Sequence, residues 1–85
     1  MTFRELAAQL MSEFDYSENA QMRIQATVEV AGDNPKGWDR EKLDRIAASL
    51  RGKRDRAEEK HEIEGWHTDE FPNELCRKCR DAGWL

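Results

Sequence analysis

Both histidines and both cysteines of this chain fall within nineteen consecutive positions, His61 to Cys79, and the sixty residues before them contain neither type. The spacing reads His-x5-His-x8-Cys-x2-Cys. This window constrains the fold more than any other stretch, because its four side chains meet only if the backbone turns between them. Six residues of continuous helix rotate through about 600°, so His61 and His67 cannot face one way from a single helix. A helix that reaches His61 must end before His67, and Gly65 offers the place. Further on, Pro72 turns the chain, and Asn73 is suited to cap a short helix near 74–82 with Gly83 as its stop.

On such a helix Cys76 and Cys79 share one face at i, i+3. Arg77, Lys78 and Arg80, together with the helix N-terminus, favour thiolate over thiol. His61, His67, Cys76 and Cys79 are therefore a candidate ligand set for one Zn2+, which takes four nitrogen or sulfur donors in a tetrahedron. The plainer alternative is a pair of buried thiols packed under Trp66, Trp84 and Leu85, with the histidines at the surface. A metal shared between subunits is a further possibility. A thioredoxin-like dithiol is disfavoured, because that motif follows a core strand and Asp69–Asn73 forms none.

A structural metal would suit a chain of this size. Eighty-five residues make one small domain, expected over 1–85 with a helix–strand–helix body (1–60) and a Cys/His tail (61–85). Cores this small supply only roughly 3–5 kcal/mol, so a metal or a partner often contributes. Charged and apolar residues each make up 38% of the chain, which leaves the core lean. The formal charge of −4 argues mildly against a general nucleic-acid binder. No apolar run is long enough to span a bilayer, and the first residues lack a charged-then-apolar signal pattern. A cytoplasmic setting with reduced thiols is expected.

In the body, residues 2–16 carry the clearest helical pattern. Phe3, Leu6, Ala7, Leu10, Met11 and Phe14 recur at i, i+3, i+4 and i+7. Thr2 with Glu5 has capping-box spacing, and Met1 with Leu6 fits the hydrophobic staple. Asp15–Asn19 reads as a break. Beyond it Met22, Ile24, Ala26, Val28 and Val30 alternate with polar residues, which predicts a strand over 21–30. A strand needs a mate, either an extended piece near 62–67 or the same strand of a second chain in a homodimer. Ala31–Gly37 is turn chemistry. A second long helix is expected over about 39–60, capped by Asp39, with Trp38 and Leu43 as staple. Its core line is Leu43, Ile46, Ala47 and Leu50; Gly52 then marks fraying or a bend into a solvated extension.

The fold class expected from these elements is α+β. No Ser-His-Asp set, Gly-rich phosphate cradle or His-Glu-x-x-His occurs, and Cys79 with a histidine is a weak nucleophile–base pair in so small a domain, so no enzyme is expected. The favoured reading is a small regulatory protein that binds a protein partner, a profile shared with modulators encoded by phages and mobile elements. Trp84 and Leu85 are candidate partner anchors if they do not pack back. The alternative is nucleic-acid binding through Arg51, Lys53, Arg54 and Arg56 together with Arg77, Lys78 and Arg80. The acids between Glu58 and Glu70 point instead to a salt-bridged, solvated face, or to an imitation of nucleic acid.

Overall fold

The structure, a computed structural model, describes residues 1–64 and 73–83. The described residues form four helices and no strand: α1 (Phe3–Glu13), α2 (Glu18–Ala31), α3 (Gly37–Glu64) and α4 (Arg77–Asp81). The domain is all-helical, which corrects the α+β expectation. The chain packs as two compact units, Met1–Ser49 and Leu50–Leu85. α3 gives its first half to one and its second half to the other.

The first unit is built on a helical hairpin. The Thr2 hydroxyl accepts from the Glu5 N–H at 3.1 Å, and the Glu5 carboxylate reaches back to the Thr2 N–H at 3.4 Å. This capping box satisfies two of the four unpaired donors at the start of α1. Phe3, Leu6, Ala7, Leu10 and Phe14 are buried as the periodicity requires. Ser17, fully buried, caps α2 by accepting from the Ala20 N–H at 3.2 Å. The Gln21 amide then donates to the carbonyls of Met11 and Phe14 at 2.8 and 2.9 Å, closing the open C-terminal end of α1. Gly32, with φ of 67°, ends α2 in a conformation that costs glycine little.

The expected strand 21–30 is thus the body of α2, and the reason lies in which residues it buries. Ala20, Ile24 and Thr27 face inward at i, i+4 and i+7, whereas Met22 and Val30 are 62% and 75% exposed. A hydroxyl inside a helix is acceptable when it is satisfied, and Thr27 Oγ1 donates to the Arg23 carbonyl at 3.0 Å. With a threonine and a small alanine on the inner face and apolar residues on the outer one, the hydropathy pattern shows a period of two. Pairing of 22–30 as strands across a homodimer therefore has no ladder to form. The extended piece expected near 62–67 is corrected as far as Glu64, which ends α3; 65–67 lie outside the described residues.

α3 starts two residues earlier than expected. Asp39 is in its first turn, where the carboxylate accepts from the Lys36 N–H at 2.8 Å, in the manner of an acid at N3. Trp38 does not act as a buried staple and is 70% exposed. The helix runs unbroken through Gly52, since one interior glycine costs only about 1 kcal/mol. Its buried stripe is Leu43, Ile46, Ala47 and Leu50, continued by Arg54 and Ala57 with half-buried His61 next on the same line. The charged segment 53–60 is therefore a helix with one inner edge. No helix among the described residues is long and apolar enough to cross a membrane.

Candidate metal centre

The stripe of α3 sets the site of the second unit. His61 lies one turn beyond Ala57, and Ala57, Cys76 and Cys79 form a buried cluster. The cysteine segment is shaped locally. Asn73 Oδ1 accepts from the Leu75 N–H at 2.9 Å, and the Asn73 carbonyl accepts from the Cys76 N–H at 3.0 Å. This turn delays the helix: α4 begins at Arg77 with Cys76 as its N-cap and ends at Asp81, shorter than the expected 74–82. Gly83, with φ of 79°, follows as the stop that the sequence suggested.

Both thiols face one histidine. Cys79 Sγ lies 3.4 Å from His61 Nδ1, and Cys76 Sγ lies 3.7 Å from the same nitrogen. The three donor atoms all fall within 4.8 Å of one another. With Zn–S near 2.3 Å and Zn–N near 2.05 Å, a tetrahedral angle puts sulfur and nitrogen about 3.6 Å apart. The observed separations straddle that edge length. The group His61, Cys76 and Cys79 can hold a metal ion. The fourth expected ligand, His67, lies outside the described residues.

Electrostatics at the centre follow from burial. Both cysteines are free and fully buried. Burial pushes the Cys79 thiol up, the neighbouring Cys76 adds to the rise, and a backbone hydrogen bond from Asn73 opposes it. Without a counter-charge, burial therefore favours the thiol form of Cys79. A bound cation would supply the charge that turns the thiols into ligands.

The basic residues around α4 do not serve the thiolates as expected. Arg77 is clamped on Glu58 of α3, with Nε to Oε2 at 2.7 Å, Nη2 to Oε1 at 2.8 Å and its backbone N–H to Oε2 at 3.0 Å. This two-pronged contact holds the first turn of α4 against α3 one turn before His61, and it keeps the Glu58 carboxyl below the usual range. Lys78 pairs with Glu62 at 3.1 Å, and Arg80 with Asp81 at 3.0 Å. In the other basic segment Arg54 is buried and lies 3.7 Å from Asp55, whereas Lys53 and Arg56 are exposed. Arg51 is half-buried. The seven cations thus do not share one open face. The Glu58–Arg77 clamp was missed because its partners are nineteen positions apart in a stretch where every acid has a nearer base. Trp84 and Leu85 lie outside the described residues.

No protein-family model, curated protein or solved structure matches this chain.

Proposed function

We propose that this chain is a small, non-enzymatic binding protein whose second unit is fastened by a structural zinc ion. The observation that carries the reading is the convergence of His61 Nδ1 with two buried sulfurs at tetrahedral edge distances. Two thiolates and an imidazole select zinc over the harder divalent ions, which take oxygen donors. The fourth position falls to His67, the other histidine of the sequence. A four-ligand shell of this kind is closed, so the ion acts as a cross-link between α3 and the cysteine segment and leaves no position for a substrate. A reducing compartment such as the cytosol suits two unpaired cysteines.

Binding of a protein partner is the activity that best fits the rest of the surface. Four large apolar side chains, Met1, Met22, Val30 and Trp38, are more than 60% exposed in the first unit. The basic residues of α4 are already engaged with carboxylates, which speaks for a protein surface over phosphate backbone as the target.

Metal content is the direct test. Protein purified without chelator is expected to carry one zinc per chain by mass spectrometry. Cobalt substitution should give tetrahedral ligand-field bands with thiolate charge transfer. His61→Ala, Cys76→Ser and Cys79→Ser should each lose the ion. Metal-free protein with unchanged thermal stability on zinc addition would overturn the reading.

A further inference from the structure

The two sulfurs that face His61 are also placed to bond to each other. Cys76 is the N-cap of α4 and Cys79 the third residue of that helix. Thr2 and Glu5 in α1, and Ser17 and Ala20 in α2, stand in the same relation, and there the cap hydroxyl accepts from the backbone N–H three positions on. Cys76 makes no such capping bond. Its sulfur turns to His61 Nδ1 instead and lies within 4.8 Å of Cys79 Sγ. Residues three apart on a helix have Cα atoms about 5 Å from each other, inside the roughly 4.4–6.8 Å that a disulfide spans. The two are the only cysteines of the sequence.

The two ways of holding these sulfurs join different parts of the chain. A zinc ion on His61, Cys76 and Cys79 ties α3 to a segment fifteen positions further on. A Cys76–Cys79 disulfide closes a loop wholly within that segment and takes both sulfurs away from His61. It removes the long-range cross-link and replaces it with a local one, which constrains the chain far less. Among the described residues, α4 then stays on α3 through the Arg77–Glu58 and Lys78–Glu62 pairs and the contact around Ala57. Both ion pairs have a partner open to solvent, so screening weakens them.

Resting on the zinc reading, we infer that the centre is a redox switch: a peroxide oxidises Cys76 and Cys79 to a disulfide, the zinc leaves, and the cysteine segment is released from α3. The electrons balance in two displacements. One thiolate sulfur attacks the O–O bond of hydrogen peroxide, giving a sulfenic acid and hydroxide. The second thiolate attacks the sulfenic sulfur; the S–S bond forms, the S–O bond breaks, and the oxygen leaves as hydroxide. Two protons from solvent turn both hydroxides into water. Two thiolates thus lose two electrons, the peroxide gains them, and zinc stays divalent. Both sulfurs are fully buried in the closed centre, so attack follows local opening of α4, a helix of only five residues. A dithiol reductant returns the thiols, and zinc then closes the centre again.

The test uses the full chain, with its zinc counted by mass spectrometry before oxidation. Stoichiometric hydrogen peroxide should release one zinc per chain to a chromogenic chelator. On the same time course, the denatured intact mass should fall by about 2 Da relative to the reduced chain, for the two hydrogens lost. Peptide mapping should place the new bond between Cys76 and Cys79. Dithiothreitol followed by zinc should restore the metal content. Hydrogen-exchange protection at 76–80 should fall on oxidation and return on reduction, while α1 and α2 keep theirs. A chain with no zinc before oxidation overturns the metal reading and this proposal with it. A chain that starts with zinc and keeps it through oxidation overturns the switch alone. Zinc lost with a gain of oxygen mass, or into disulfide-linked dimers, overturns the switch as well.

Discussion

At the scale of single residues, Glu58 shows how a side chain can position a site it does not enter. Its carboxylate takes three hydrogen bonds from Arg77, the residue between Cys76 and the rest of α4. Because Arg77 is half exposed, the pair is screened, and Glu58→Gln is expected to cost about 0.5–1 kcal/mol at neutral pH. The pH dependence follows from the direction of the shift. The Arg77 contacts lower the folded-state pKa of Glu58, with burial opposing. The stabilisation is therefore fully present above the ordinary glutamate pKa of about 4.3 and is lost as pH falls through the lower folded value. Urea melts of the parent and Glu58→Gln, at matched metal content, should differ at pH 7 and converge in acid. A gap that widens in acid would reverse the assignment. The residue scale is also where sequence reading did best at the site. The spacing places Cys76 and Cys79 close together and asks for a helix that reaches His61 and ends before His67, because ligand spacing and helical rotation are local. The clamp that orients them is a long-range pairing among many interchangeable charges and leaves no local trace.

At the scale of elements, α1 was legible down to its cap, and α2 was assigned the wrong element type. The capping box and five apolar residues at helical spacing all point one way in α1. In α2 the inner face is Ala20, Ile24 and Thr27, of which only Ile24 is strongly apolar. Periodicity reads hydrophobicity as burial, and here exposed Met22 and Val30 supply the apolar signal while a satisfied threonine is buried. The two assignments make opposite predictions for neighbours in the pattern. A strand would put Met22 and Ile24 on one buried face; the helix separates them. Ile24→Ala is expected to cost about 2–4 kcal/mol, and Met22→Ala to stay within about 0.5 kcal/mol in dilute protein. Similar losses at the two positions in thermal or denaturant melts would restore the strand. The long helix poses a different problem: Gly52 and the charges beyond it suggest fraying or a bend, yet the helix is unbroken and its inner line through Arg54 and Ala57 continues to half-buried His61.

At the scale of the whole molecule, the two units rest on different chemistry. The first, Met1–Ser49, buries aromatic and aliphatic side chains from three helices. Among the described residues of the second, the buried set is Leu50, Arg54, Ala57 and the two cysteines, with little aliphatic volume. A cluster so lean would gain from a metal what it lacks in apolar area. Chelation should then act unevenly. Hydrogen exchange is expected to lose protection around 57–61 and 76–80, while amides of α1 and α2 keep theirs. Uniform loss, or none, would show that the ion does not support this unit.

The contacts of the helical hairpin also have a consequence in time. The Gln21 amide joins residues only seven and ten positions apart, and the caps at Thr2 and Ser17 span three. Closing loops this short takes on the order of 10–100 ns, and proteins dominated by local contacts fold in microseconds to milliseconds. His61 and Cys76, by contrast, are fifteen positions apart. Synthesis runs from the N-terminus at about 5–20 residues per second, so the hairpin can assemble before His61 and the cysteines have been made. A newly made chain would then have its first two helices in place before the thiols meet their histidine.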